Sequence, residues 1–176
     1  MPTSPLVSLP EGLDILAVSE TAEELLIRVI SNRSSSLCPL CSTPSHAIHS
    51  YYRRKLADLP CTGRTIRLLL TVHKFFCRNA ACPRKVFAEC LPELLQPASR
   101  LTTRLRETLQ TIGFALNGEG GARLARRLGM PISATTLLRS LHLVPTPPIG
   151  NVRVVGLASW ATLWNDHHRS RAAYGD

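Results

Sequence analysis

Two closely spaced cysteine pairs constrain this chain more than any other feature: Cys38-Pro39-Leu40-Cys41 and Cys77-Arg78-Asn79-Ala80-Ala81-Cys82. A turn carrying two nearby thiols can present both to one ion, and two such turns complete the tetrahedron that Zn2+ favours, with Zn–S bonds of about 2.3 Å. A disulfide framework would need an oxidising compartment, and no secretion signal is legible, the first basic residue being Arg28. The expected cofactor is therefore Zn2+ held by Cys38, Cys41, Cys77 and Cys82. Four sulfurs close the coordination sphere, which makes the metal structural. Redox thiols and ordinary core cysteines are the competing readings. Cys61 and Cys90 lack a near partner and are expected as buried small hydrophobes. Cys61 remains an alternative fourth sulfur, and His46, His49 and His73 remain alternative ligands.

The pairs sit at strand ends. Residues 13–18 and 24–30 alternate in apolar character around a polar break and read as a hairpin. A third strand is expected at 46–52 and a fourth at 64–76, where Ile66, Leu68, Leu70, Val72 and Phe76 share one face. Residues 58–63 read as the turn between them, and 86–88 as a short strand. After Pro97 the period becomes helical: Leu101, Leu105, Leu109, Ile112 and Leu116 predict a helix over 99–116, ended by a break at Gly118–Gly121. A second helix is expected over 122–128, stopped by Gly129 and Pro131, and a third over 134–142 with Ser133 as N-cap. Residues 144–151 read as a linker and 152–157 as a lone apolar strand. The tail beyond has no sustained period and reads as disordered.

The fold class expected is α+β, a small zinc-ribbon-like β domain followed by a helical helix-turn-helix domain. Their bounds are 10–92 and 97–143, with 144–176 as linker and remnant. A length of 176 residues fits one domain or two small ones. Apolar runs such as Leu68-Leu69-Leu70 are far shorter than the roughly 18 residues of a membrane span.

Charge points to the partner. The chain carries a net +9, but residues 1–30 hold five acids against Arg28, whereas residues 51–106 hold twelve bases against Asp58, Glu89 and Glu93. A basic block within a folded region suits a polyanion, since each phosphate it neutralises releases counterions. In the third helix Thr135 and Arg139 share a face opposite Leu137, and Thr136 borders it. Short polar groups and an arginine are what a recognition helix offers to base edges. Arg123, Arg126 and Arg127 before the turn suit phosphate contacts, as do Arg53, Arg54 and Lys55.

The ordered set Cys38-Pro39-x-Cys41, Tyr51-x-Arg53-Arg54-x-Leu56-x-Asp58-Leu59-Pro60, Gly63-Arg64 and Phe75-Phe76-Cys77-x-Asn79-x-x-Cys82-Pro83-Arg84-x-x-Phe87-Ala88-Glu89 resembles the N-terminal zinc-binding module of bacterial insertion-sequence transposases of the ISL-three type. Residues 120–133 are similar to that family's helix-turn-helix. The resemblance covers roughly residues 10–157. It implies binding to double-stranded DNA at the terminal inverted repeats of a mobile element, in the bacterial cytoplasm at the nucleoid. It also implies a following catalytic domain whose acids hold Mg2+, and there the pattern departs: Ala158-Ser159 precede Trp160 where an aspartate pair is expected.

The expected function is thus a zinc-stabilised DNA-binding fragment of a transposase without catalytic activity, truncated before the catalytic domain. Intact transposase or a second copy of the chain would be its protein partners. The competing readings are a zinc-containing protein-interaction module and part of an active transposase.

Overall fold

The computed structural model describes residues 7–145, and the described residues through Val144 belong to one compact unit. The strand expected at 152–157, the Ala158-Ser159 departure and the tail lie outside the described residues.

The first hairpin forms as its alternation predicts: β1 (Leu13–Glu20) pairs antiparallel with β2 (Glu24–Ser31), with a bulge between Ile15 and Ala17. Thr21 closes it, its hydroxyl accepting from the Glu24 N–H at 3.0 Å. A two-residue ribbon, β3 (Ser36–Leu37) against β4 (Pro44–Ser45), brackets the first cysteine pair. The long strands β5 (Ile48–Cys61) and β6 (Arg64–Phe76) form a second hairpin, and β7 (Val86–Ala88) pairs with the end of β6. The sheet order is β1-β2-β6-β5, with β2 and β6 parallel. Leu25, Ile27 and Val29 lie beside Ile66, Leu68 and Leu70, and Leu56 lies opposite Leu68. Leu91, Leu94 and Leu95 join this core.

Three strand expectations are corrected. The strand expected at 46–52 runs on to Cys61, because Arg54 to Asp58 continue the ladder opposite Leu70 to Ile66. The turn expected over 58–63 shrinks to Thr62 and Gly63, both at positive φ (50° and 77°), as a tight hairpin turn requires. Phe75, not Phe76, is the buried aromatic, 0% exposed against 39%. The buried face changes along β6: Ile66 to Val72 look into the leucine core, while Phe75 looks to the other side, where the cysteine loops cover it.

The helix expected from residue 99 begins later. Residues 100–102 run beside β5 instead, the Ala57 N–H donating to the Arg100 carbonyl at 2.9 Å and the Thr102 N–H to the Ala57 carbonyl at 3.0 Å. Thr102 then caps α1 (Thr103–Arg127). The break in α1 falls at Asn117 (φ 58°, ψ −170°), and the glycines after it, expected to be the break, are helical. Their value lies in close packing: a Cβ on Gly121 would stand 2.8 Å from Leu137, and one on Gly118 would stand 2.8 Å from Leu138. Both leucines belong to α2 (Ala134–Leu141), which begins at the expected cap, Ser133 Oγ accepting from the Thr136 N–H at 3.2 Å. Gly129 takes the left-handed conformation, φ 79°, at the end of α1. Leu105, Leu109, Ala122, Ala125, Met130 and Leu137 form the helical core, and Ala57 and Leu59 of β5 pack against it. No helix among the described residues is long and apolar enough to cross a membrane.

Candidate metal centre and basic surface

The folding that builds the sheet also assembles the cysteines. The Cys38 N–H donates to the Thr43 carbonyl and the Ser42 N–H to the Cys38 carbonyl, at 3.0 and 2.8 Å, which turns Cys41 back toward Cys38. At the end of β6 the Cys77 N–H donates to the Lys85 carbonyl and the Cys82 N–H to the Asn79 carbonyl, at 2.8 and 3.1 Å. The ligand atoms of Cys38, Cys41, Cys77 and Cys82 all lie within 4.8 Å of one another. Cys38 Sγ is 4.0 Å from Cys82 Sγ, and Cys41 Sγ is 3.6 Å from Cys77 Sγ. Sulfurs bonded tetrahedrally to Zn2+ at about 2.3 Å are separated by about 3.8 Å, whereas a disulfide needs about 2.05 Å.

The electrostatics agree with a metal site. The Thr43 hydroxyl and N–H bring the Cys41 thiol down to about 6. The N–H of Asn79 draws the Cys77 thiol down, yet burial and the neighbouring sulfurs push it up to about 12. The Cys41 thiol thus ionises readily, while burial and the neighbouring sulfurs push those of Cys77 and Cys82 up. A divalent cation removes that conflict for all four sulfurs at once. Phe75 and Phe87, ring centroids 6.0 Å apart, pack against the cysteines and shield the cluster. Lys85 Nζ donates to the Cys82 carbonyl at 3.2 Å.

The alternative ligands lie apart from this cluster. His46 is exposed, and His49 Nδ1 lies 2.8 Å from Ser50 Oγ with its ring edge against Phe76. His73 is buried beside Glu89, Nδ1 3.7 Å from Oε2. Cys61 lies at the far end of β5 opposite Arg64, half-buried rather than fully buried. Cys90 is exposed, contrary to the expected burial, because the chain has just left β7 there.

These features define a zinc-ribbon-like region with a structural Zn2+ site of four cysteines, within an α+β chain. Residues 34–82 match the family model described as the zinc-finger of transposase IS204/IS1001/IS1096/IS1165. No curated protein and no solved structure matches the chain. The matched segment spans both cysteine pairs and is a transposase-related zinc-binding module.

The basic residues occupy two areas. On α1 Arg123, Arg126 and Arg127 are exposed, and on α2 Thr135, Thr136 and Arg139 are exposed while Leu137 is fully buried. On β5, Arg53 and Lys55 point to the side of the sheet away from Leu56, and both are exposed. Arg54 points the other way, half-buried, its guanidinium donating to the Ser99 carbonyl. Arg67 and Arg100, which belong to the basic block of 51–106 but carry no motif of their own, line a cleft of about 540 Å³ together with Arg53, Arg54 and Lys55. The period-two pattern of β6 sets Arg67 on the face opposite Leu68. Only the β5–β6 register and the path of residues 100–102 bring these five cations together.

Proposed function

We propose that this chain is the DNA-binding part of a transposase, recognising the terminal inverted repeats of a mobile element and carrying no catalytic activity of its own. The reading assigns residues 10–92 to a zinc-binding β domain, 97–143 to a helix-turn-helix domain and 144–151 to a linker. Cys38, Cys41, Cys77 and Cys82 hold the zinc. Thr135, Thr136 and Arg139 read base edges, and Arg53, Arg54, Lys55, Arg123, Arg126 and Arg127 meet phosphates. Such a protein works at the bacterial nucleoid, in the company of a transposase or a second copy of the chain. The observation that carries the reading is the transposase zinc-finger match at 34–82, spanning the four-thiol cluster. The exposed arginines beside the tight turn at Gly129 support the DNA assignment.

The test is duplex binding as a function of salt, with terminal-repeat DNA against a scrambled duplex. A log–log slope scaling with the phosphates neutralised, and preference for the repeat, are expected. Salt-independent or absent binding would favour the protein-interaction module. Incubation of the same DNA with Mg2+ or Mn2+ is expected to give neither nicked nor joined products, because Ala158-Ser159 stand where the resemblance places metal-holding acids. Strand cleavage abolished by a chelator would instead assign the chain to an active transposase.

A further inference from the structure

We infer that the cleft walled by Arg67 and Arg100 is a second DNA site, one that takes the phosphate backbone of a duplex and extends the footprint of α2 onto the part of the sheet that Arg53 and Lys55 share. The inference rests on the DNA-binding reading above and adds residues and a surface to it. Arg53 and Lys55 are two residues apart on one face of β5, which separates them by about 6.6 Å, so each can serve a different phosphate. Across the sheet Arg53 lies opposite Thr71 and Lys55 opposite Leu69, and Leu69 in turn neighbours Arg28 of β2. Arg28 therefore continues the row of positive charge inward on the same face.

No carboxylate lines the cleft. The acids that do pair with arginines among the described residues are elsewhere: Asp58 takes Arg104, Glu20 takes Arg64, and Glu89 and Glu93 face Arg33. Arg28, Arg53, Lys55, Arg67 and Arg100 form no ion pair among the described residues, and Asp58, which borders the adjacent small cavity with Arg67, is taken by Arg104. Concentrating such charge in one concavity is unfavourable for the isolated protein and favourable with a polyanion in place.

The ligand is backbone phosphate, because five cationic side chains line the cleft against a single aromatic ring, that of Tyr52. Lys74 Nζ sits 5.2 Å over the Tyr52 ring, and the Tyr51 ring lies 5.2 Å from that of His73. The link to α2 comes from Arg67. It also borders the small cavity lined by Gly129, Met130, Pro131 and Ile132, the turn that leads into α2. A duplex engaged by α2 therefore has a basic surface next to that turn onto which its backbone can continue.

The experiment uses the zinc-loaded full chain with the terminal-repeat duplex and a scrambled duplex, comparing wild type with Arg67→Gln/Arg100→Gln. The salt slope should fall by about 1.8, since each phosphate contact contributes about 0.9. Affinity for both duplexes should fall by the same factor, leaving their ratio unchanged. Arg67→Lys/Arg100→Lys should keep the wild-type slope. Arg100→Gln alone, at an exposed side chain, should remove about 0.9 and guards against misfolding of the double variant. A wild type that binds salt-dependently, with no change of slope in these variants, would overturn this inference and leave the DNA-binding reading standing. A wild type that binds neither duplex would remove both. Tighter binding of single-stranded DNA through Arg67 and Arg100 would overturn the duplex assignment.

Discussion

Arg104, the second residue of α1, closes on the buried carboxylate of Asp58 in β5, its Nε donating to Oδ1 at 2.7 Å and its Nη2 to Oδ2. The Thr102 hydroxyl donates to the same Oδ1 at 2.7 Å while also capping the helix. One carboxylate thus fixes where the helical segment starts and ties it to the sheet. Burial pushes Asp58 upward, but the Arg104 guanidinium, the Thr102 hydroxyl and the Leu59 N–H outweigh it and hold the carboxyl below its ordinary value.

Loss of the two partners should therefore be unequal. Arg104→Ala leaves the carboxylate buried without its counter-charge and is expected to cost about 3 kcal/mol. Asp58→Asn leaves Arg104, whose side chain is 35% exposed, free to turn to water, and should cost only about 1–2 kcal/mol. Urea unfolding of the two variants checks the order; equal losses would show that the pair does not act as a buried one.

The same carboxylate sets a pH dependence. Asp58 is depressed in the folded chain, so its stabilisation is complete above its unfolded pKa of about 3.9 and is lost as pH falls through the lower folded value. The stability gap between wild type and Asp58→Asn should therefore be constant near neutrality and close below about pH 3.9. Comparing the two chains cancels the release of zinc in acid, which affects both. A gap that persists to the lowest pH would show that the Asp58 charge does not carry the effect.

Metal content tests the cysteine assignment. The purified chain should hold one zinc, and Cys38→Ser or Cys82→Ser should lose it together with the thermal transition of the zinc-binding region, since a structural metal contributes to folding directly. Cys61→Ser and Cys90→Ser should keep it, because neither sulfur lies in the four-thiol cluster. Metal analysis of the four variants decides, and loss of zinc from Cys61→Ser would reassign a ligand.

The glycines of α1 should respond in opposite directions. Gly121→Ala forces a methyl against Leu137, which is fully buried and has nowhere to swing, and should destabilise by about 1–3 kcal/mol. Gly120→Ala meets nothing nearer than 3.5 Å and should stabilise by about 0.5–1 kcal/mol, because alanine loses less backbone entropy in a helix. Thermal unfolding distinguishes them. Destabilisation by both would mean that α2 sits closer to residue 120 than these contacts allow.

Discrimination between DNA sequences should depend on α2. Arg139→Ala with Thr135→Ala is expected to lower the preference for terminal-repeat over random duplex by about 1–3 kcal/mol. Arg53→Ala should weaken both duplexes alike and flatten the salt slope. Competition binding reads both effects, and equal losses on every sequence from both sets would remove α2 from the recognition role.

By itself the sequence determined what depends on short-range chemistry. The spacing of Cys38 to Cys41 and of Cys77 to Cys82 specifies two turns that each offer two thiols to one ion. The alternation in β2 and β6, the cap at Ser133 and the left-handed Gly129 are likewise local, since each follows from the conformation of a few neighbouring residues. Asp58 read as a turn residue because Asp, Pro and Gly in one stretch signal turns; its place within β5 follows from pairing with β6 and from Arg104, 46 positions away. Gly118 and Gly121 read as a break because glycine weakens a helix in isolation, an effect outweighed here by the close approach of Leu137 and Leu138. The parallel pairing of β2 with β6, the switch of buried face at Phe75 and the gathering of Arg53, Arg54, Lys55, Arg67 and Arg100 around one cleft depend on strand order and register. Those were decided by tertiary structure alone, because contacts between distant segments leave no periodicity in either segment.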